Sequence, residues 1–123
     1  MKKNFLFYLS ALLIFSSCES EHLYGPGGIL IEDNCDTANL TYTNQIKPIF
    51  ENNCLTPDCH TTETASGKIV LDNYDSVKVS INKGKVLKEI NYEPGNSEMP
   101  PNGKMNNCTI LQIETWIKEG MKE

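Results

Sequence analysis

Two thiols and an imidazole fall within seven residues in the stretch Cys54-Leu55-Thr56-Pro57-Asp58-Cys59-His60. Thiols add to activated double bonds as thioethers, pair as disulfides or bind metals as thiolates, and an imidazole binds metals or moves protons. A bare zinc site needs four converging donors, and neighbouring Cys59 and His60 cannot easily turn toward one ion. No second cluster at zinc-ligand spacing occurs in the chain, and neither a nucleophile-base pair nor a glycine-rich phosphate loop is present. The chemistry to weigh is therefore thioether formation beside a metal-binding imidazole, against simple disulfide pairing.

A further sulfur stands in the turn-rich stretch from Glu93 to Gly103. Met99 is followed by Pro100 and Pro101, which hold the backbone extended and stiff. That stiffness suits a thioether presented to a metal at fixed depth. Most methionines pack cores instead. Met105 is the rival ligand, and Met121 lies beyond the last expected helix. His22, the other histidine, reads as a solvated linker residue.

These residues need walls and supports. Tyr42, Ile46, Ile49 and Phe50 share one helical face, predicting a helix over about 43–53, capped by Thr43 or Asn44, with Pro48 early in it and its apolar stripe ending at Cys54. A polar loop follows over 61–67. Tyr74-Asp75-Ser76 starts a helix through Val77, Val79 and Ile81, which Gly84 interrupts, and Lys85 to Ile90 form a second short piece. The last helix spans about 107–119, capped by Asn106 or Asn107, with Ile110, Ile113, Trp116 and Ile117 facing inward and Gly120 ending it. Trp116 either shields a bound group or locks helix against helix.

The 123 residues carry a formal charge of −5, and all of the basic residues are lysines. This allows one small domain and argues against nucleic-acid binding. Lys2 and Lys3 lead into an apolar run from Phe5 to Phe15, too short for a mature membrane span and suited to a secretory signal over residues 1–17. Ser16-Ser17-Cys18 resembles a bacterial lipoprotein processing site, at which Cys18 takes lipid and anchors the exported chain. Residues 18–39 read as a tether and 40–123 as the domain. Loss of Lys2 and Lys3 leaves 9 of the 11 basic residues against all 16 acidic ones, a formal −7, which favours a partner with a basic patch.

The thiol pair with its histidine matches the attachment signature of c-type haem, C-x-x-C-H, with two extra residues between the cysteines. Together with Ile46-Lys47-Pro48-Ile49-Phe50, Leu71-Asp72-Asn73-Tyr74, Met99-Pro100-Pro101 and Trp116-Ile117-Lys118-Glu119-Gly120, the order of motifs resembles the single-haem cytochrome c domains of exported bacterial proteins. The resemblance covers about residues 40–120. It implies an all-α, small cytochrome c-like fold with crossing terminal helices and one covalently attached haem c. It also implies thioethers at Cys54 and Cys59, His60 as proximal ligand, Met99 as distal ligand, and electron exchange with redox partner proteins in place of catalysis. Of the five cysteines, lipid at Cys18 and haem at Cys54 and Cys59 would leave Cys35 and Cys108, which then most simply form one disulfide in an exported protein. The competing arithmetic pairs the four non-lipid cysteines as two disulfides, giving a stapled lipoprotein that serves as a non-haem binding or structural module.

Overall fold

The helix that leads into the cysteine motif begins with an unusually wide turn. In the computed structural model, which describes residues 34–123, a π-helical turn over Tyr42–Ile46 runs directly into α1, Lys47–Asn53. Pro48 explains the irregularity. A proline inside a helix lacks one donor and crowds the carbonyl four residues back, here that of Asn44, and a widened turn relieves that crowding. The cap moves upstream accordingly. Thr41, rather than Thr43 or Asn44, accepts from the Asn44 amide at 3.3 Å, while the Gln45 side chain accepts from the Thr41 amide at 3.0 Å. This is a capping box stretched by one residue, as the extra residue of a π turn requires.

The remaining elements are α2 (Tyr74–Asn82), α3 (Val86–Ile90) and α4 (Asn107–Lys118), with a short 3₁₀ turn at Ser66–Lys68. Asn73 caps α2 by accepting from the Ser76 amide at 2.9 Å, and Gly84, at φ +77°, separates α2 from α3. Asn106 caps α4 in the same way through Thr109, at 2.8 Å. No strand occurs among the described residues, so the expectation of an all-helical domain holds for them. Ile69-Val70-Leu71 runs alongside α2 without a strand partner. The buried Ser80 hydroxyl takes that role, donating to Val70 O at 2.9 Å and accepting from Val70 N at 3.2 Å.

One apolar core joins all four helices: Ile46, Phe50, Val77, Ile81, Val86, Ile90, Ile110, Ile113 and Trp116 are all buried. α4 packs on the π turn, where the Tyr42 and Trp116 rings lie 6.1 Å apart and the Tyr74 ring packs at a tilt against Tyr42 at 5.3 Å. Trp116 Nε1 and the Tyr42 amide both donate to the Lys122 carbonyl, at 2.7 and 2.9 Å, and Tyr74 Oη donates to Met121 O at 2.7 Å. Trp116 thus locks helix against helix. Emptying a site as large as that of Trp116 or Phe50 costs about 3–5 kcal/mol in a close-packed core.

Cys35 and Cys108 form a disulfide, and Gln112 Nε2 donates to Asp36 O at 2.9 Å beside it. The last residues of the expected tether are therefore held on the first turns of α4. The expected signal segment 1–17, the lipid-accepting Cys18 and His22 lie outside the described residues. Among the described residues no helix is long and apolar enough to cross a membrane. Because the bridge closes a sequence separation of 73 residues, the Cys35→Ser/Cys108→Ser double variant is expected to lose about 2–5 kcal/mol. Denaturant titration under non-reducing conditions measures this, and an unchanged midpoint would remove the disulfide from the stabilising interactions.

Candidate functional site

Cys54 closes α1, its amide donating to Phe50 O at 2.8 Å. Since Phe50 is fully buried, core packing determines where the helix stops and hence where the thiol stands. The four residues that follow do not extend as a loop. Asp58 N donates to Leu55 O at 2.6 Å, closing Leu55 to Asp58 as a β-turn with a cis Thr56-Pro57 peptide, and Thr56 Oγ1 reaches back to Asn52 O at 3.4 Å. The two residues by which the motif exceeds C-x-x-C-H are taken up in this turn.

The Cys59-His60 backbone is pinned from downstream. Thr64 Oγ1 and the Ser66 amide donate to Cys59 O at 2.9 and 3.1 Å, Thr64 Oγ1 also reaches Asp58 O, and the Leu71 amide donates to His60 O at 2.8 Å. A polar loop of small residues thus folds back as a clasp. Thr62 adds a second tie by donating its amide to Asp72; hydrogen bonds, foremost from the Thr62 side chain and then from the Thr62 backbone and Asn73, hold the Asp72 carboxyl below its ordinary range, against the opposing effect of burial.

The His60 ring is buried, and its Nδ1 lies 3.3 Å from Ile69 O. When Nδ1 carries the proton it donates to this carbonyl, and Nε2 keeps its lone pair. This is how a backbone carbonyl selects the tautomer of a metal-binding histidine. Sequence reading did not find Ile69 O because every residue carries a carbonyl; only the returning chain selects this one.

Met99 arrives from a different part of the fold. Its amide donates to Glu89 O at 3.1 Å, at the end of α3, and Tyr92 Oη donates to Pro100 O at 2.6 Å. Asn91 ties this end of α3 to α4 through Glu114 Oε1 at 2.7 Å. Met99 is half-buried, whereas Met105 is buried in the core.

Cys54, Cys59 and His60 line the same cavity as Met99, Pro100 and Pro101, with a volume of about 440 Å³. That lies within the range of small-molecule and cofactor pockets. The remaining lining residues are Asn52, Asn53, Thr56, Pro57, Ser66, Asn102 and Gly103, so no Asp, Glu or Lys lines it. Met105 and Trp116 take no part. Among the described residues no three His, Cys, Asp or Glu side chains converge to hold a bare metal ion. The donor set is two thiols, an oriented imidazole and a thioether in an uncharged cavity, which fits a ring-held metal better than a free cation. No protein-family model matches the chain, and no curated protein or solved structure matches it significantly.

Both motif cysteines are free thiols. Burial, followed by the neighbouring Cys59, pushes the Cys54 thiol up from the ordinary 9.0 to about 12. The fold therefore favours the protonated form. That contribution to stability is complete below about pH 9 and is lost as pH rises toward about 12. In a Cys59→Ser variant, alkylation of Cys54 at pH 8 is expected to be about a hundredfold or more slower in the folded chain than in urea, because only the thiolate reacts. Equal rates in the two conditions would mean that the thiol is neither buried nor raised.

Proposed function

We propose that this chain is an exported, lipid-anchored c-type cytochrome that carries single electrons on one covalently attached haem c. The observation that carries the reading is convergence. Two thiols, a buried imidazole with its Nδ1 at a carbonyl, and a methionine from a distant loop line one cavity of about 440 Å³. In the proposed arrangement Cys54 and Cys59 form the thioethers, His60 ligates through Nε2 and Met99 through its sulfur. When bound, haem supplies the one-electron ferrous/ferric couple.

The chain's own residues account for the rest of the activity. Ile69 O, beside Nδ1, orients the His60 ring and leaves Nε2 as the nitrogen that would hold iron. Met99 contributes a soft sulfur ligand, which raises the reduction potential. The turn at Leu55 to Asp58 and the Thr64 clasp hold the attachment peptide rigid, so the two oxidation states need little rearrangement of the protein. With His60 and Met99 both holding iron, a haem bound here would leave no position for a substrate, which favours an electron carrier over an enzyme. Lipid anchoring is supported by the Ser16-Ser17-Cys18 signal following an apolar run, and redox partner proteins with basic patches suit the acidic domain.

The test is spectroscopy of protein matured with haem-attachment machinery. A coloured protein is expected whose haem stays with the polypeptide in acidified organic solvent. Met99→Ala is expected to change the absorption spectrum and lower the midpoint potential by about 0.1–0.3 V, inside the ~0.8 V over which axial ligands tune haem. His60→Ala is expected to abolish the six-coordinate spectrum. A colourless protein carrying a second disulfide between Cys54 and Cys59 would instead establish the stapled binding or structural module.

A further inference from the structure

Tyr92 adopts φ +61°, in the left-handed region that a bulky aromatic residue seldom occupies. Such strain persists only where surrounding contacts over-determine it. Here they do. The Tyr92 amide donates to Glu89 O at 3.2 Å, the carbonyl that also accepts from the Met99 amide at 3.1 Å. At its other end the Tyr92 hydroxyl donates to Pro100 O at 2.6 Å, and the Gly103 amide donates to the same carbonyl at 3.3 Å. Lys104 Nζ lies 5.9 Å from the Tyr92 ring centroid and donates to Asn91 O at 3.0 Å, so the ring is covered as well as bonded. Met99 thus sits between two carbonyl anchors, Glu89 O at its own amide and Pro100 O one residue on, and Tyr92 bonds to both.

We propose that Tyr92 is the positioning residue for Met99: as a strut from the end of α3 to Pro100 O, it sets the depth at which the thioether enters the cavity. The inference rests on the haem reading above and goes beyond it, because Tyr92 itself does not line the cavity. A left-handed glycine would turn the chain at this point with less strain, but it would carry no hydroxyl to reach Pro100 O. The strained aromatic residue is explained by what its side chain does for the loop.

Exogenous imidazole competes with Met99 for the iron, so its affinity for the ferric holoprotein reports how firmly the sulfur is held. Losing one such hydrogen bond is expected to raise imidazole affinity roughly threefold to tenfold in Tyr92→Phe. Tyr92→Gly, which removes the hydroxyl while relieving the positive φ, is expected to do at least as much. Tyr74→Phe is the matched control, since it loses a 2.7 Å hydroxyl bond to Met121 O elsewhere in the fold; it is expected to lower stability and leave imidazole affinity unchanged. Met99→Ala sets the upper limit. A colourless protein overturns the haem reading and Tyr92's role with it, and Met99→Ala binding imidazole no better than the parent removes Met99 as a ligand and Tyr92's role with it. Tight binding by Met99→Ala with both Tyr92 variants matching the Tyr74→Phe control overturns the role of Tyr92 alone.

Discussion

The Lys122 carbonyl accepts from both the Tyr42 amide and Trp116 Nε1, and the fold is organised around that junction. It holds the start of the first helix on the last one, with the Trp116 and Tyr42 rings packed between them. With the start of the π turn that leads into α1 fixed there and Phe50 fully buried further along, Cys54 has one place to stand. The Cys35–Cys108 disulfide acts on the same pair of regions from the other end, tying the approach to the first helix to α4. The cavity therefore opens beside a rigid corner.

Around that corner the site is held mostly by backbone groups. Ile69 O orients the imidazole, Cys59 O receives the Thr64 clasp, and Glu89 O and Pro100 O bracket Met99. Side chains make the chemistry, and carbonyls aim it. This division favours a preformed cavity, since a carbonyl fixed within a packed segment has less freedom than a side chain on a rotatable stem. The cavity lining is uncharged although the chain is acidic. Buried charge without a partner is costly, and no such cost is incurred here.

Most of the helices were legible in the sequence because their signals are local. Apolar residues at helical spacing, Asn73 and Asn106 as caps, and Gly84 and Gly120 as stops all act within a few residues. Local signals place the cap of the first helix at Thr43 or Asn44, but Pro48 acts backwards: its ring crowds an upstream carbonyl, widens the turn and moves the cap to Thr41. The Leu55 to Asp58 spacer was legible in composition and not in shape. Pro57 marks a turn, but the closing bond from Asp58 N to Leu55 O is a fact of geometry.

By itself the sequence determined which atoms are available for chemistry, namely the thiols of Cys54 and Cys59, the imidazole of His60 and the stiffened sulfur of Met99, together with the helices between them. Residue type and short spacing dictate those, and both are written along the chain. Only the tertiary structure decided that Met99 shares a cavity with His60, that Trp116 and Met105 do not line it, and that Ile69 O and Tyr92 support the segments carrying His60 and Met99. These relations join residues far apart in sequence. They arise when burial of one common core brings distant segments together, and no periodicity or motif encodes such an encounter.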